Sequence, residues 1–189
     1  IIEYDPSYAG AVAEMWNRSN ESWGGGTNQR TEDTVRREME ISSNLHVFLA
    51  VDGKEVVGFC SFAHYRHDEG ALYVPLLNVR PDYHGYKVGR NLILNAVRKT
   101  IEAGWPRLDL FTWAGNTKAV PMYKKCGFFW EKNESYVHLM NFIPTVLQTE
   151  ALAPYFEKLD WYADSTRELP IQPDGRRERG FDFLDYTWQ

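Results

Sequence analysis

Apolar residues in the first third of the chain recur at spacings that predict alternating strands and helices. Residues 1–4 suit a short first strand, and apolar positions at helical spacing follow over residues 6–17. Thr31 is suited to begin a second helix that ends near Ile41. Residues 46–51 and 55–64 are apolar or alternate on either side of an Asp-Gly turn, which predicts a β-hairpin.

The middle of the chain continues this pattern. A buried strand is predicted over residues 72–79, a half-buried strand over residues 108–113, and a pair of strands over residues 128–131 and 136–142 with a turn between them. The helix between the first two of these strands carries Leu92, Ile93, Ala96, Val97 and Ile101 at helical spacing and ends at Gly104. A shorter helix is expected to begin at Asn116, which suits an N-cap position.

The pattern changes beyond Pro144. Residues 146–159 have amphipathic helical spacing, and residues 181–188 alternate like a strand to which we assign no partner. We therefore predict one main domain over residues 1–145. Residues 146–189 would form a C-terminal appendage or the start of a further domain.

Length and charge narrow the class of protein. With 189 residues, of which 43% are hydrophobic, the chain can bury a core and suits one domain with an appendage. Its formal net charge of −5 gives no global basic footprint, so we expect no nucleic-acid partner. No apolar run reaches the length of a membrane-spanning helix, and no signal peptide precedes the first strand. We expect a soluble, cytoplasmic protein with no membrane partner.

The spacing of the cysteines and histidines gives little support for a metal-binding or catalytic role. Cys60 and Cys126 lie far apart with no metal-ligand spacing, which fits a reducing compartment and predicts two small core residues. A catalytic role for Cys126 is the minor alternative. His64, His67 and Asp68 are metal-ligand types, but a polar loop explains them, and we predict no metal site.

A loop framed by glycines follows the strand over residues 72–79. Arg80-Pro81-Asp82 ends that strand, and His84-Gly85-Tyr86-Lys87-Val88-Gly89-Arg90 opens the next helix. The first N–H groups of a helix are unpaired and carry partial positive charge, which suits a phosphate. Lys87 and Arg90, with His84 if protonated, would add cationic charge. The spacing of the glycines matches neither a nucleoside-triphosphate loop nor a dinucleotide-binding motif. An ordinary strand-to-helix turn is therefore the alternative to a phosphate site.

A second motif follows the strand over residues 108–113. Asn116, Ala119, Tyr123, Gly127 and Phe128 stand in the order N-x-x-A-x-x-x-Y-x-x-x-G-F. With the loop, this motif makes residues 72–128 resemble the GNAT superfamily of acetyl-CoA-dependent N-acetyltransferases, and the flanking pattern extends the resemblance to residues 1–145. The resemblance implies an α/β fold of the α+β kind, with a mixed, mostly antiparallel central sheet flanked by helices. It also implies acetyl-CoA as cosubstrate and a primary amine as acceptor.

The resemblance assigns roles to residues of this chain. Tyr123 would be the general acid that protonates the departing thiolate, because a tyrosine with a pKa of about 10 is close in acidity to a thiol. Leu77 and Val79 would line the pantetheine arm, and the Val79 N–H would donate to the thioester oxygen. The implied cofactor-binding residues are Leu77, Val79, His84, Gly85, Tyr86, Lys87, Val88, Gly89, Arg90 and Asn116.

Two positions depart from the family's usual loop, Q/R-x-x-G-x-G/A. His84 stands where the family has Gln or Arg, and Lys87 stands where it has glycine. A Cβ at position 87 is expected to hinder close approach of the backbone to the pyrophosphate, which affects cofactor affinity more than the fold. A non-catalytic acetyl-CoA-binding sensor or scaffold therefore stays as the alternative to an N-acetyltransferase. Acyl transfer to an alcohol, or of a longer acyl chain, is a third interpretation.

The general base is left open by the sequence. Asp109, Glu69 and Asn78 lie near strand ends and are candidates, with no commitment among them. An acceptor amine with a low pKa would not need a base.

The acceptor is also unassigned, and it could be a small molecule or a peptide amine. In the resembled family the region between the first two helices borders the acceptor site, so Trp16, Trp23 and the glycines at 24–26 would shape the acceptor pocket. A linker with two tryptophans buried in the core is the alternative. A homodimer and a further C-terminal domain are both compatible with the chain.

Overall fold

The computed structural model describes residues 1–20, 29–113, 116–133 and 136–142. Its strands are β1 (Ile2–Glu3), β2 (Asn44–Asp52), β3 (Glu55–His64), β4 (Leu72–Tyr73), β5 (Leu77–Val79), β6 (Arg107–Trp113), β7 (Phe129–Asn133) and β8 (Tyr136–Phe142). Its helices are α1 (Ala9–Ser19), α2 (Glu32–Ile41), α3 (Val88–Glu102) and α4 (Ala119–Lys125), with short 3-10 turns at Pro6–Tyr8 and Pro81–Tyr83. The described residues divide into two compact units, the first within residues 1–66 and 73–96, the second within residues 67–72 and 97–142.

The first unit is built on antiparallel strand pairs. β2 pairs with both β1 and β3, and β3 also pairs with β5. The hairpin of β2 and β3 confirms the prediction from the Asp-Gly turn, in which Gly53 has a φ of 59°. Every residue of β3 from Val56 to Ala63 is buried, as its nearly continuous apolar run predicts.

The first two helices belong to the same unit. Met15 and Trp16 of α1 are buried in a core that also contains Phe59 of β3, whose ring meets the Trp16 ring edge-on at 5.0 Å. α2 begins after Thr31 as predicted, because Thr31 and Thr34 cap it reciprocally. None of the described helices is both long and apolar enough to cross a bilayer.

The second unit has its own antiparallel ladder. β6 pairs with β8, and β8 pairs with β7. Leu108 and Leu110 of β6 and Leu139 of β8 are buried. Gly104, with a φ of 74°, follows the end of α3, where the sequence predicted the helix to end, and Gly127, with a φ of 94°, follows the end of α4.

Two strand predictions need correction. The strand predicted over residues 72–79 is interrupted, because residues 74–76 separate β4 from β5. Pro75 lies in this gap and has no N–H to donate, so it cannot contribute a hydrogen bond to the ladder there. β7 continues to Asn133, so part of the turn predicted over residues 132–135 is strand. The predicted helix over 146–159, the predicted strand over 181–188 and the proposed domain boundary at 145 lie outside the described residues.

Candidate functional site

The register between β3 and β5 decides which backbone groups of β5 point away from β3. Two hydrogen bonds flank this pair: Arg80 N–H donates to Val57 C=O (3.0 Å), and Ser61 N–H donates to Leu76 C=O (2.9 Å). Backbone groups of successive residues in an antiparallel pair point alternately toward and away from the partner strand. The N–H groups of Leu77 and Val79, which lie opposite Cys60 and Gly58, therefore point away from β3.

His84 joins the loop to the end of β5. Its Nε2–H donates to the C=O of Val79 over 2.9 Å, which places the proton on this ring nitrogen. The residue itself is exposed at the start of the loop. His84 therefore contacts the main chain of a residue that was predicted to lie beside the thioester.

The loop has two residues in the left-handed region, and only one of them is a glycine. Gly85 has a φ of 89° and Lys87 a φ of 62°. Gly89 was predicted as the second glycine of the loop frame, but it lies in the first turn of α3, which begins at Val88. Lys87 therefore adopts the conformation that glycine accommodates best, at the position where the family usually has glycine.

The start of α3 presents its N–H groups at the end of this loop. The first intrahelical hydrogen bond runs from Asn91 N–H to Lys87 C=O over 2.9 Å. The N–H groups of Val88 and Gly89 precede that bond, at the end of the helix where N–H groups have no carbonyl of a preceding turn to donate to. A phosphate could accept from them, and the helix dipole would favour its negative charge.

The side chain of Val88 faces the strand instead of the loop. A Cβ added to Gly58 would lie 2.8 Å from Val88 Cγ1 and 2.8 Å from Leu92 Cδ1, so the helix start packs against the backbone of β3. A cofactor would therefore contact Val88 through its main chain. Tyr86 and Lys87 are exposed, and Arg90 is half-buried.

Asn116 was predicted as the N-cap of α4, but the helix begins at Ala119 after Lys118, and Asn116 holds the turn that leads into it. Its Oδ1 accepts from Ala119 N–H (3.0 Å), and its C=O accepts from Val120 N–H (3.1 Å). Its Nδ2 donates to Thr112 Oγ1 over 3.0 Å. Both ends of the side-chain amide are engaged locally, and contact of Asn116 with a cofactor stays a prediction.

Tyr123 lies in α4 and is only 7% exposed. Its ring is tilted against that of Phe128, with centroids 6.1 Å apart, and its C=O accepts from Phe128 N–H over 3.1 Å. The residue is thus fixed by the end of the helix and by an aromatic neighbour. Its role as general acid stays a prediction.

Asp109, one of the candidate bases, belongs to an ion-pair cluster in the second unit. The carboxylate is fully buried, and both oxygens accept from the Arg107 guanidinium, at 2.8 and 3.0 Å. His138 Nε2–H donates to the same carboxylate over 2.9 Å, and the His138 ring stacks on Phe111. Sequence spacing gave no signal for His138, because the register of β6 and β8 brings it to Asp109. A carboxylate held by this many donors is poorly suited to act as a base.

The same cluster includes Asp68, from the histidine-rich loop that precedes β4. Arg107 donates to Asp68 over 2.5 Å, and Gly70 N–H donates to it over 2.8 Å. The Gly70 hydrogen bond and then that of Arg107 hold the pKa of Asp68 below its usual value. Among the described residues no group of three His, Cys, Asp or Glu side chains could hold a metal ion.

The other two candidate bases are placed differently. Asn78 is buried on β5, and its Nδ2 lies 3.4 Å from the sulfur of Met15. Glu69 is exposed in the loop before β4.

Both cysteines are buried thiols, as predicted. Burial raises the pKa of Cys60 to about 12. Cys60 therefore stays protonated near neutral pH and is unsuited to form an acyl-enzyme.

Trp16 lies in the core of the first unit, and the Arg30 guanidinium carbon lies 4.5 Å from the centroid of its ring. This placement agrees with the interpretation of Trp16 as a core residue. Trp23 and the glycines at 24–26 lie outside the described residues.

Comparison with known families identifies the class of protein. The model of the Acetyltransferase (GNAT) family matches residues 12–128. The chain therefore belongs to the GNAT acetyltransferase family, as the loop and the Asn116–Tyr123 motif predicted.

Two curated relatives are named as acetyltransferases. Acetyltransferase SG1711 of Sodalis glossinidius is 31% identical over 94 residues, which are 50% of this chain and 63% of that protein. Mycothiol acetyltransferase of Pseudarthrobacter chlorophenolicus is 31% identical over 118 residues, which are 59% of this chain and 36% of that protein. The chain thus spans less than two thirds of the length of either relative.

Solved structures share the fold at low sequence identity. The ribosomal-protein-alanine N-acetyltransferase from Brucella melitensis superimposes with a TM-score of 0.63 at 15% identity, over 75% of this chain and 98% of that one. The PaiA N-acetyltransferase from Thermoplasma acidophilum, solved in complex with coenzyme A, gives a TM-score of 0.59 at 16% identity, over 75% and 97%. These likenesses confirm the predicted fold class of a mostly antiparallel sheet flanked by helices.

Proposed function

We propose that this protein transfers the acetyl group of acetyl-CoA to a primary amine. Membership of the GNAT family supports acetyl transfer, and the coenzyme A complex of the PaiA structure supports the cosubstrate. The observation that carries the proposal in this chain is the end of β5 together with the start of α3. Outward-directed N–H groups at Leu77 and Val79 are followed there, within one loop, by the main-chain N–H groups at the N-terminus of a helix.

The two parts of this segment suit two parts of the cofactor. The N–H of Val79 is directed away from β3 and is available to donate to the thioester oxygen, where negative charge develops. The first turn of α3 offers main-chain donors and a positive dipole end to the pyrophosphate. Lys87 and Arg90 add two cationic side chains at the same helix end, which favours a ligand with several negative charges.

The reaction follows from these groups. The neutral amine nitrogen attacks the thioester carbonyl carbon, and the N–C bond forms as the carbonyl oxygen takes negative charge. The tetrahedral intermediate collapses, the C–S bond breaks, and the coenzyme A thiolate takes a proton for which Tyr123 is our candidate donor. The amine loses its own proton to solvent or to a base that we leave unassigned. Direct attack is favoured over an acyl-enzyme on cysteine because the thiols of Cys60 and Cys126 are both buried, and burial raises the pKa of Cys60 to about 12.

Calorimetric titration of the protein with acetyl-CoA tests the first part of the proposal, with desulfo-CoA and ATP as controls. We expect saturable binding of acetyl-CoA and desulfo-CoA and none of ATP. Absence of acetyl-CoA binding would refute the cofactor assignment.

A screen of amines then tests transfer. Thiol release from acetyl-CoA would be followed with small-molecule and peptide amines. We expect turnover with at least one of these classes, and no covalent acetylation of the protein by mass spectrometry when the acceptor is omitted. Saturable binding without turnover across the screen would favour the sensor or scaffold alternative.

A further inference from the structure

Arg80 is a buried cation immediately before the cofactor loop. It is 4% exposed, although it follows the end of β5 and precedes an exposed turn. Its Nε–H donates to Asp82 over 2.7 Å, and its Nη2–H donates to Glu55 over 3.1 Å. Burial by itself would lower the pKa of Arg80, but the hydrogen bonds to Asp82 and Glu55 outweigh burial and raise it. The guanidinium therefore remains a cation and ties the turn to β3.

Tyr83 makes a second connection between the same elements. Its ring lies under the Arg80 guanidinium, with the central carbon 4.6 Å from the ring centroid. Its hydroxyl donates to Asp52 Oδ2 over 2.7 Å. Asp52 is the last residue of β2, and Glu55 is the first residue of β3. Both carboxylates thus come from the tip of one hairpin, and both hold the turn that leads into the loop.

We propose that Arg80 and Tyr83 are positioning residues for the cofactor loop, and that the tip of the β2–β3 hairpin braces this loop in the conformation that binds the pyrophosphate of acetyl-CoA. We call these contacts of Arg80 and Tyr83 with Asp52 and Glu55 the hairpin brace. The inference rests on the proposed function, because it requires that the loop binds acetyl-CoA.

The loop needs such a brace because little else restrains its first half. Gly85, Tyr86 and Lys87 are exposed, and a Cβ at Gly85 would meet no atom within 4 Å. Tyr86 contacts Tyr83, with ring centroids 6.2 Å apart, and Val88 then packs against Gly58 of β3. Before Val88, the hairpin brace and the His84 contact with Val79 fix the chain. A loop fixed before binding loses less conformational freedom when the ligand arrives, which increases affinity.

The test is a double-mutant cycle on the Tyr83–Asp52 hydrogen bond, read out by calorimetric titration with acetyl-CoA. Tyr83→Phe removes only the hydroxyl, and Asp52→Asn weakens the acceptor. We expect each single variant to raise Kd about three- to fivefold, since one exposed hydrogen bond is worth about 0.7–1 kcal/mol. The double variant should raise Kd by the same factor as either single variant, because both act through one bond.

Matched measurements separate positioning from general stability. Glu3→Gln weakens the exposed 2.6 Å contact between Glu3 and His46 of β2, away from the loop, and should leave Kd unchanged. Melting temperatures of Tyr83→Phe and Glu3→Gln should agree within about 2 °C, because each affects one exposed contact. In the acetylation assay Tyr83→Phe should raise KM for acetyl-CoA and leave kcat unchanged, a split that a merely structural role would not produce.

Several outcomes would overturn the inference. An unchanged Kd in Tyr83→Phe would show that the hydroxyl does not brace the loop, and multiplied effects in the double variant would show that Tyr83 and Asp52 act separately. Arg80→Met tests the second connection and should raise Kd further. If that variant does not fold, the Tyr83 cycle still decides. Failure of the unmutated protein to bind acetyl-CoA would refute the proposed function itself, which distinguishes the two failures.

Discussion

The left-handed conformation of Lys87 predicts that Lys87→Gly stabilises the protein. Lys87 has a φ of 62°, while Gly85, two residues earlier, has a φ of 89°. In this region the Cβ of an L-residue approaches its own main chain, whereas glycine has no Cβ. Of the two left-handed positions in the loop, position 85 is therefore occupied by a glycine, and position 87 by a lysine where a glycine would be less strained.

The magnitude follows from two opposing terms. Relief of the left-handed conformation is worth about 1–2 kcal/mol. Glycine also makes the unfolded chain more flexible, which offsets about 0.4–1 kcal/mol of that gain. We expect a net increase of about 0.5–1 kcal/mol in the free energy of unfolding, which for a chain of this size raises Tm by about 1–4 °C.

Two matched variants isolate the backbone effect in thermal unfolding. Lys87→Ala removes the charge but keeps a Cβ in the left-handed region, so its Tm should stay close to that of the unmutated protein. Gly85→Ala introduces a Cβ at the neighbouring left-handed residue, in open space, and should lower stability by about 0.5–1 kcal/mol, after the same offset from the unfolded chain.

The same variants test the loop as a cofactor site. Lys87→Gly should bind acetyl-CoA more tightly than Lys87→Ala, because both lack the cation and only the glycine variant allows the main chain to approach the pyrophosphate. A Lys87→Gly variant that melts no higher than Lys87→Ala would refute the strain argument. Equal Kd values for the two would refute the argument about close approach.

Three further predictions address the rest of the site. Tyr123→Phe should lower kcat roughly a hundredfold with little change in Kd for acetyl-CoA, and unchanged turnover would remove the general-acid role. Arg90→Glu should raise Kd for CoA roughly tenfold by placing a negative charge at the helix end, and an unchanged Kd would mean that the phosphates bind elsewhere. Gly58→Ala should lower stability by about 1–3 kcal/mol, since its Cβ would lie 2.8 Å from Val88 Cγ1. An unchanged Tm in Gly58→Ala would show that α3 shifts without penalty.

The parts of the fold that the sequence predicted well depend on local signals. The hairpin turn at Gly53 and the Thr31 cap of α2 each involve residues a few positions apart, so their chemistry is visible in the sequence. Pro75 is a local signal of the same kind, but one strand was predicted over residues 72–79 where the structure has two.

The parts that the sequence missed depend on strand register. Asp109 was a candidate base by its position, but Arg107 and His138 hold its carboxylate in a buried cluster. Arg107 lies two residues away on the same strand, whereas His138 is 29 positions away. Only the pairing of β6 with β8 brings His138 and Asp109 together, and no spacing rule within one strand carries that information.

The conformation of the cofactor loop depends both on its local sequence and on contacts with distant residues, and Lys87 illustrates this. Its left-handed φ is unfavourable for a lysine, so contacts outside the residue must maintain it. Those contacts come from both sides: the hairpin brace holds Arg80 and Tyr83 before the loop, and Gly58 lets Val88 pack closely after it. The shape of the loop is therefore imposed by its ends, whereas the family's glycine at this position makes the same shape intrinsically easy. If this is correct, the hairpin brace should matter less once position 87 is glycine, and Tyr83→Phe should raise Kd less in a Lys87→Gly background than in the unmutated protein.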